Sequence, residues 1–336
     1  MSKSKEPKFS LGDVSSLMPR AVKYVEAQAA FTNTAIYGRE HSRERMPLPE
    51  EYDTVFDKSL LPTMLPQLLR IFQGIFGSYW RYKFRGKAKK STASAEFLSG
   101  LETHARENGA VRIGYAEITP DLIFKDFVIP HKNAVVIISE MKKEPFITAP
   151  SAEAMTQVGK AYADTTFIAN KLTSYLRKGG FSAYSGISIG GSVDHTRLAE
   201  RAGLGKIGYH GSLISPEEGA RVRINVVYTN IENLPYETHN EHDWVLDFCA
   251  MCNKCVRKCP PGAIRQNPDP DADGRISAVD NTLCGPYMAA NKSCGLCIAV
   301  CPFSNAGYNK IKAGFKGTST ARPSRVPLEG AGHVTA

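Results

Sequence analysis

The sequence has no cysteine before Cys249 and none after Cys301, although it contains eight cysteines in all. It also lacks an uninterrupted apolar run of about eighteen residues, which a membrane-spanning helix needs. Its first residues show neither a twin-arginine pair nor the apolar core of a secretory signal. Because disulfide bonds need an oxidising compartment, these absences predict a cytoplasmic protein whose cysteines serve another purpose.

The eight cysteines form two runs with an isolated cysteine between them. The first run reads Cys-x2-Cys-x2-Cys-x3-Cys-Pro, and the second reads Cys-x2-Cys-x3-Cys-Pro. A cubane iron–sulfur cluster takes four thiolates, and in two-cluster ferredoxins the cysteine before proline binds the other cluster. The pattern therefore predicts two 4Fe–4S clusters with crossed ligands. One ligand set is Cys249, Cys252, Cys255 and Cys301, and the other is Cys259, Cys284, Cys294 and Cys297.

Two other metal assignments compete with iron. Zinc favours well-separated Cys-x2-Cys pairs, often with histidine, whereas three cysteines here share one tight run. The acidic segment 267–274 resembles a calcium loop, but it lacks the glutamate that an EF-hand requires at its twelfth position. We therefore predict iron for the cysteines and a surface loop for 267–274.

The formal net charge of +9 favours an anionic partner, such as nucleic acid, a lipid surface, a phosphate-bearing cofactor or an acidic redox protein. Segment 60–84 carries an apolar helical stripe, and basic residues follow it as far as residue 90. This combination is typical of a membrane-surface anchor, but a helix that packs on the core has the same periodicity. Both interpretations stay open. The stripe consists of Leu65, Leu68, Leu69, Phe72, Ile75, Phe76 and Tyr79.

From residue 93 onward, helical and strand patterns alternate, which predicts an α/β or α+β domain. Strands are predicted over 111–118, 133–140, 181–189 and 221–229, and helices over 95–108, 152–177 and 193–202. The predicted divisions are an N-terminal arm with the amphipathic helix and basic run (1–92), the α/β domain (93–240), the cluster domain (241–309) and a flexible tail (310–336).

Segment 203–219 contains five glycines, a density that suits a backbone lying against a flat ligand. Its first part spells G-x-G-x-x-G, but it follows a predicted helix. A dinucleotide-binding fingerprint has to lie between a strand and a helix, so we do not assign one here.

The order of these motifs resembles the corrinoid-dependent iron–sulfur reductases, which comprise the reductive dehalogenases and the epoxyqueuosine reductases. The resemblance rests on Val193-Asp194, on the run Leu198–Gly208 and on the crossed cysteine runs, and it extends over about 95–303. It implies a nitroreductase-like α/β domain that binds cobalamin, followed by a ferredoxin-like domain with two 4Fe–4S clusters. It also implies that the corrin contacts Gly203, Leu204, Gly205, Gly208, His210, Gly211 and Ser212.

The two branches of the superfamily imply different proton donors. Asp194 matches the general acid of the epoxyqueuosine reductases, whereas Tyr162 matches the tyrosine that protonates carbon in the reductive dehalogenases. The motif Gly219-Ala-Arg221-Val-Arg223 is close to the dehalogenase Gly-Pro-Arg-x-Arg, with Ala220 in place of proline. A cation at Arg221 would lower the pKa of the tyrosine. The resemblance thus implies catalytic roles for Tyr162, Asp194 and Arg221.

Each of these residues also has a structural interpretation. Asp194 can cap the helix that follows it, Tyr162 can be a core residue, and Arg221 can be exposed on a strand. His195 and His210 are expected to be structural or to lie behind the residues that contact the cofactor.

These observations predict an oxidoreductase that cleaves a carbon–heteroatom bond, most simply carbon–halogen, with electrons relayed through two clusters to cobalamin. A ferredoxin or flavodoxin is the expected electron donor, and a small organic compound is the expected substrate. The alternatives are an epoxyqueuosine reductase acting on tRNA and a ferredoxin-type electron-transfer protein without catalysis. Peripheral membrane contact through 60–90 also stays open.

Overall fold

The computed structural model describes residues 36–37, 61–84, 86–124, 127–188, 191–268, 276 and 278–317. Nearly all of the predicted arm before residue 61, residue 85 of the basic run, residues 269–274 of the predicted loop and the tail from residue 318 lie outside these ranges.

A four-stranded antiparallel sheet forms the centre of the fold. Two strand pairs accompany it: β1 (Ile36–Tyr37) with β3 (Val128–Ile129), and β6 (Lys206–Ile207) with β7 (Leu213–Ile214). The central strands are β2 (Arg112–Glu117), β4 (Asn133–Glu140), β5 (Ala183–Ser185) and β8 (Val222–Thr229), and their order in the sheet is β2-β4-β8-β5. Strand β4 is almost continuously apolar and buried, as expected for a strand covered on both faces. The predicted strands are confirmed, although β5 is shorter than expected.

Eleven α-helices are described, besides a 3₁₀ turn at Pro120–Leu122. Those before the cysteine runs are α1 (Leu61–Lys83), α2 (Ala95–Glu107), α3 (Lys143–Phe146), α4 (Ala152–Lys178) and α5 (His195–Arg201). Those that follow are α6 (Trp244–Cys252), α7 (Lys254–Lys258), α8 (Asn281–Ala290), α9 (Leu296–Ala299), α10 (Pro302–Asn305) and α11 (Tyr308–Gly314). Mixed helices around an antiparallel sheet make the fold α+β.

Helices α4 and α5 cover opposite faces of the sheet. Alternate residues of a strand point to opposite faces. Ile137 of β4 packs with Leu172 of α4 in one core, whereas its neighbour Ile138 packs with Leu198 of α5 in another. Residues on these two helices therefore approach the sheet from different sides.

Helix α1 packs along α4, but with a different face from its apolar stripe. Its buried positions include Gly74 and Ser78. A Cβ at Gly74 would lie 2.9 Å from Cγ2 of Thr166, and the amide of Asn170 donates to the Gly74 carbonyl at 3.0 Å. Small residues thus bring the two helices close, and the helix packs on the core, but not through the predicted stripe. Most of the predicted stripe is left exposed or half-exposed.

A third core joins the α/β part to the cysteine region. It contains Phe146, Tyr209 and Ala220 together with Cys249 and Phe303. The start of the predicted tail belongs to the fold, because α11 extends to Gly314. No helix within the described ranges is long and apolar enough to span a lipid bilayer.

Candidate cofactor and proton-donor site

The predicted first ligand set lies around one cavity. Cys249, Cys252, Cys255 and Cys301 line it together with His210 and other residues. The local fold explains how the first run reaches around the cavity. Helix α6 ends at Cys252, and the next residue, Asn253, takes a left-handed conformation with φ of 47°, which asparagine tolerates better than most residues. The chain turns there into α7, which carries Cys255.

Electrostatic neighbours follow the two predicted sets in part, because Cys255 of the first set also neighbours Cys259 and Cys297 of the second. Burial raises the pKa of Cys249 above its ordinary range, and charge on Cys301, Cys255 and Cys252 raises it further. Burial also raises the pKa of Cys284, where the neighbouring charges are those of Cys259 and Cys294. Raised pKa values mean that these thiols would have to release protons when they bind a metal.

All eight cysteines are free thiols, and none forms a disulfide bond in the structure. Across the described part of the chain, no three Cys, His, Asp or Glu side chains are grouped as the ligands of a single metal ion. The first four cysteines instead line a shared cavity, and a donor set of four thiols around a cavity fits a cubane cluster. The number of clusters stays a prediction.

Tyr162 lies beneath a guanidinium group. It is half-buried on α4, and the guanidinium carbon of Arg223 on β8 lies 4.8 Å from the centre of its ring. The Tyr162 carbonyl accepts hydrogen bonds from the hydroxyls of Thr166 (2.8 Å) and Ser188 (2.9 Å). The buried Nε of Arg223 has no hydrogen-bond partner within the described ranges. The structure therefore pairs Tyr162 with the second arginine of the Arg-Val-Arg motif.

Arg221, the arginine to which we assign catalysis from the sequence, has a different set of contacts. It is 7% exposed, and it donates to the carbonyl of Met141 at 2.7 Å and to that of Ser304 at 3.2 Å. It also bonds Glu218 at 2.8 Å and Glu140 at 3.3 Å. Because these contacts join the end of β4 to the chain beyond the second cysteine run, they are those of a structural residue. The interpretation of Arg221 as an exposed strand residue is therefore wrong. Its catalytic role stays a prediction.

Asp194 caps helix α5, as one of its two interpretations predicts. Its side chain accepts a hydrogen bond from the backbone N–H of Arg197 at 3.1 Å and pairs with the Arg197 guanidinium at 3.3 Å. Tyr162 and Asp194 belong to helices that cover opposite sheet faces. The role of Asp194 as a general acid stays a prediction.

Two histidines lie near these elements, His210 buried and His195 half-buried. Burial lowers the pKa of His195 to about 4, against opposing effects of Asp194 and of a hydrogen bond to the Ile224 backbone. Burial likewise lowers the pKa of His210 to about 4. Nδ1 of His210 accepts the backbone N–H of Ser212 at 3.2 Å, whereas its Nε2 is buried with no partner that the structure describes.

The glycine-rich segment is closely surrounded by protein. A Cβ at Gly205 would lie 2.2 Å from the carbonyl oxygen of Ile214, and one at Gly219 would lie 2.3 Å from that of Phe303. Both glycines have positive φ, 152° and 59° respectively, which favours glycine. Packing within the β6–β7 hairpin and against the second cysteine run thus accounts for these two residues. The corrin contacts assigned to this segment, Leu204 and Ser212 among them, stay predictions.

Comparisons with known proteins agree with the motifs. The chain is 32% identical over 250 residues to a tetrachloroethene reductive dehalogenase of Desulfitobacterium hafniense, covering 70% of this chain and 43% of that protein. It is 29% identical over 135 residues to an epoxyqueuosine reductase of Listeria monocytogenes, covering 35% of this chain and 31% of that protein. The chain thus spans less than half the length of these curated relatives. No protein-family model matches it.

Among solved structures, the catabolic reductive dehalogenase NpRdhA matches with a TM-score of 0.66 at 20% identity, over 84% of this chain and 46% of that one. At this identity the match concerns the fold alone. The sequence relatives come from both groups, and this structural neighbour shares the fold. The chain is a homologue of the reductive dehalogenases and of the epoxyqueuosine reductases, the two groups that its motifs resemble.

Proposed function

We propose that the chain is a cobalamin- and iron–sulfur-dependent reductase of the reductive dehalogenase type, which cleaves a carbon–halogen bond. The observation that carries this proposal is the position of Arg223 over the ring of Tyr162. A positioned tyrosine hydroxyl can serve as a general acid, and the guanidinium of Arg223 would fix the orientation of this ring. The longer match to dehalogenases than to epoxyqueuosine reductases favours the same branch.

The cysteine sets supply the electron path in this proposal. Cys249, Cys252, Cys255 and Cys301 would hold one cluster, and the second set would hold another. Iron–sulfur clusters reach potentials of about −700 mV, low enough to deliver electrons to cobalt. When bound, cobalamin supplies the chemistry that breaks the bond to the halogen, while the protein positions the substrate and excludes water.

The protein's own part of the reaction is a proton transfer. Replacement of halogen by hydrogen consumes two electrons and one proton and releases halide. Tyr162 would donate the proton from its hydroxyl to the carbon that loses the halogen. Arg223 would hold the Tyr162 ring in position through the contact of its guanidinium with the ring face.

The partners follow from this chemistry. The substrate would be a small halogenated organic compound, and the electrons would come from a low-potential ferredoxin or flavodoxin. The positive net charge of +9 suits an acidic electron-transfer protein, because complementary charge accelerates encounter.

Epoxyqueuosine reduction on tRNA is the second candidate. The observation that favours it is Asp194, which stands where the resemblance implies a general acid, together with the basic charge. However, the carboxylate of Asp194 is engaged as a helix cap and as the partner of Arg197. An electron-transfer protein without a corrinoid is the third candidate, and it would bind clusters alone.

Anaerobic reconstitution with iron, sulfide and cobalamin tests these candidates. Metal analysis and electron paramagnetic resonance should give about eight irons and one cobalt per chain, and the reconstituted protein should release halide from halogenated phenols or alkenes. Irons without cobalt would support the electron-transfer candidate. Cobalt with activity only on epoxyqueuosine in a tRNA stem–loop would support the second candidate.

A further inference from the structure

His210 stands at the tip of the β6–β7 hairpin, inside the cavity of the first cysteine set. The cavity that Cys249, Cys252, Cys255 and Cys301 line is also lined by the His210 ring, which is 7% exposed. The hairpin tip also reaches these ligands through its backbone, because Cys249 takes a hydrogen bond from the backbone of Tyr209.

The hydrogen bond at Nδ1 fixes which ring nitrogen carries the proton. Nδ1 accepts the Ser212 N–H at 3.2 Å, so it cannot carry a hydrogen itself. The neutral ring must then carry its hydrogen on Nε2. This Nε2–H is buried and finds no acceptor within the described residues. A buried donor without an acceptor is destabilising, so an acceptor is expected in the cavity.

We propose that Nε2–H of His210 donates a hydrogen bond to a sulfur of the cluster that Cys249, Cys252, Cys255 and Cys301 hold. This inference rests on the proposed cluster binding. A reduced cluster carries one more negative charge on its sulfurs, so a donated hydrogen bond stabilises the reduced form and raises the reduction potential. His210 would thereby tune the potential of this cluster rather than contact the corrin ring.

A redox titration of the reconstituted protein, followed by electron paramagnetic resonance, tests the inference. In His210→Leu, the potential of one cluster should fall by an amount that corresponds to roughly a tenfold change in its redox equilibrium, about 59 mV for one electron. The second cluster provides the internal control, because its potential should not move. An unchanged potential of both clusters would overturn the inference while leaving the proposed function intact.

A spectroscopic measurement on the unaltered sequence covers the case in which His210→Leu does not fold. With ¹⁵N-histidine, pulsed resonance of the reduced protein should show nitrogen coupling on a cluster signal. Coupling on the cobalt(II) signal alone, or on neither signal, would refute the hydrogen bond to the cluster. Failure of the protein to bind iron at all would overturn the proposed function together with this inference.

The exposed face of α1 carries a second inference, independent of the clusters. Five large apolar side chains on this helix and its end are 43–62% exposed. They are Leu65, Leu69, Phe76, Trp80 and Phe84. Trp80 stacks on Phe84 at 5.2 Å and meets the edge of Phe76 at 5.9 Å. The opposite face is already fixed on α4, where Arg70 of α1 pairs with Asp164 at 2.8 Å. The aromatic face therefore cannot turn inward without breaking that packing.

The charges around this face indicate its occupant. The sequence has no acidic residue between Lys58 and Glu96, whereas six basic residues fall between positions 81 and 90. We infer that the α1 face docks on an anionic lipid surface, with its aromatic side chains at the headgroup boundary and the lysines on lipid phosphates. A second copy of the chain would bring a like-charged run against the first, which opposes that pairing.

Sedimentation of the full chain with vesicles tests the docking. Phosphatidylglycerol vesicles should bind it and phosphatidylcholine vesicles should not. Leu69→Ser/Phe76→Ser should lower binding at least tenfold, because the two substitutions remove large apolar side chains from the docking face. The control, Ile147→Ser/Leu283→Ser, removes two other exposed apolar side chains, 45% and 48% exposed against 61% and 62% for Leu69 and Phe76, and should bind normally.

The lysines and Trp80 give two more readouts. Lys87→Gln/Lys89→Gln should weaken binding, whereas the equally exposed pair Lys310→Gln/Lys316→Gln should not. Brominated lipids should quench the fluorescence of Trp80, and Trp80→Phe should lose most of that quenching. Equal binding of both double-serine variants would refute the docking. So would a change of oligomeric state in Leu69→Ser/Phe76→Ser without a change in vesicle binding.

Discussion

The guanidinium of Arg223 lies 4.8 Å from the ring centre of Tyr162, and the two residues come from elements far apart in the chain, helix α4 and strand β8. The pair is fixed from both sides. The carbonyl of Tyr162 lies within hydrogen-bond distance of three hydroxyls, and the backbone of Arg223 belongs to the β4–β8 ladder opposite Ser139. The contact is therefore a built feature of the fold.

Tyr162→Phe should lower halide release by about 10²–10⁴-fold, the range for loss of a general acid, without changing iron content. Arg223→Met should also lower turnover, because the cation over the Tyr162 ring is lost. Arg221→Met is the matched control. Its contacts join the two halves of the fold, so it should lower thermal stability and iron retention. Full turnover in Tyr162→Phe would remove this residue as the proton donor.

The sequence predicted the elements better than it predicted the contacts between them. Strand β4 and helix α4 follow from apolar pattern and cap residues that act locally, and both occur where expected. Which arginine of Arg-Val-Arg meets Tyr162 depends on how β8 registers with β4 and on which face α4 covers. Both relations are features of the tertiary structure. A resemblance to a motif with two arginines therefore could not show which arginine contacts Tyr162.

The face through which α1 packs on α4 is a second contact that the sequence did not predict. Helical periodicity marked the apolar stripe as the side that packs, yet the structure buries Gly74 and Ser78 against α4. The overlooked signal was the spacing of small residues, Gly74, Gly77 and Ser78, which allows close approach of two helices. A pattern of hydrophobic residues alone does not identify such a face as a packing surface.

Crossed ligation can be tested by counting irons in double variants. If Cys249 and Cys301 bind the same cluster, Cys249→Ala/Cys301→Ala should lose only that cluster and keep about four irons. Cys249→Ala/Cys259→Ala should then lose both clusters and keep almost none. Uncrossed ligation would give the reverse order of iron contents. Metal analysis after anaerobic reconstitution decides between them, and a content of about one zinc per four cysteines would refute both.

Acid should destabilise the protein partly through His195. Its folded pKa of about 4 lies below the ordinary 6.5, so the unfolded chain binds the extra proton as pH falls between these values. The resulting stabilisation is complete above pH 6.5 and is lost on the way to pH 4. At pH 5 the loss is about 1–2 kcal/mol.

His195→Gln should therefore show a smaller difference in unfolding free energy between pH 7.5 and pH 5 than the unaltered chain. Denaturant unfolding at the two pH values measures this difference. His239→Gln alters an exposed histidine and should leave the pH dependence as it was. An unchanged slope in His195→Gln would show that another group carries the acid sensitivity.

Gly219 connects the sheet region to the second cysteine run, and its replacement should separate packing from backbone strain. It has a φ of 59°, and a Cβ there would lie 2.3 Å from the Phe303 carbonyl oxygen, two residues beyond Cys301. Gly262 has nearly the same φ, 64°, but nothing within 4 Å of its Cβ position. In Gly262→Ala only the left-handed conformation is penalised, by about 1–2 kcal/mol.

Gly219→Ala adds a clash with backbone to the same conformational penalty, so it should lower the melting temperature clearly more than Gly262→Ala. Because the displaced segment holds Cys301, it should also lower the iron content of the first cluster. Differential scanning calorimetry and metal analysis of the two variants give both results. Equal melting temperatures would mean that the 215–219 turn moves away from Phe303 at little cost. The contact between the two halves of the fold would then not be what holds Cys301 in the cavity.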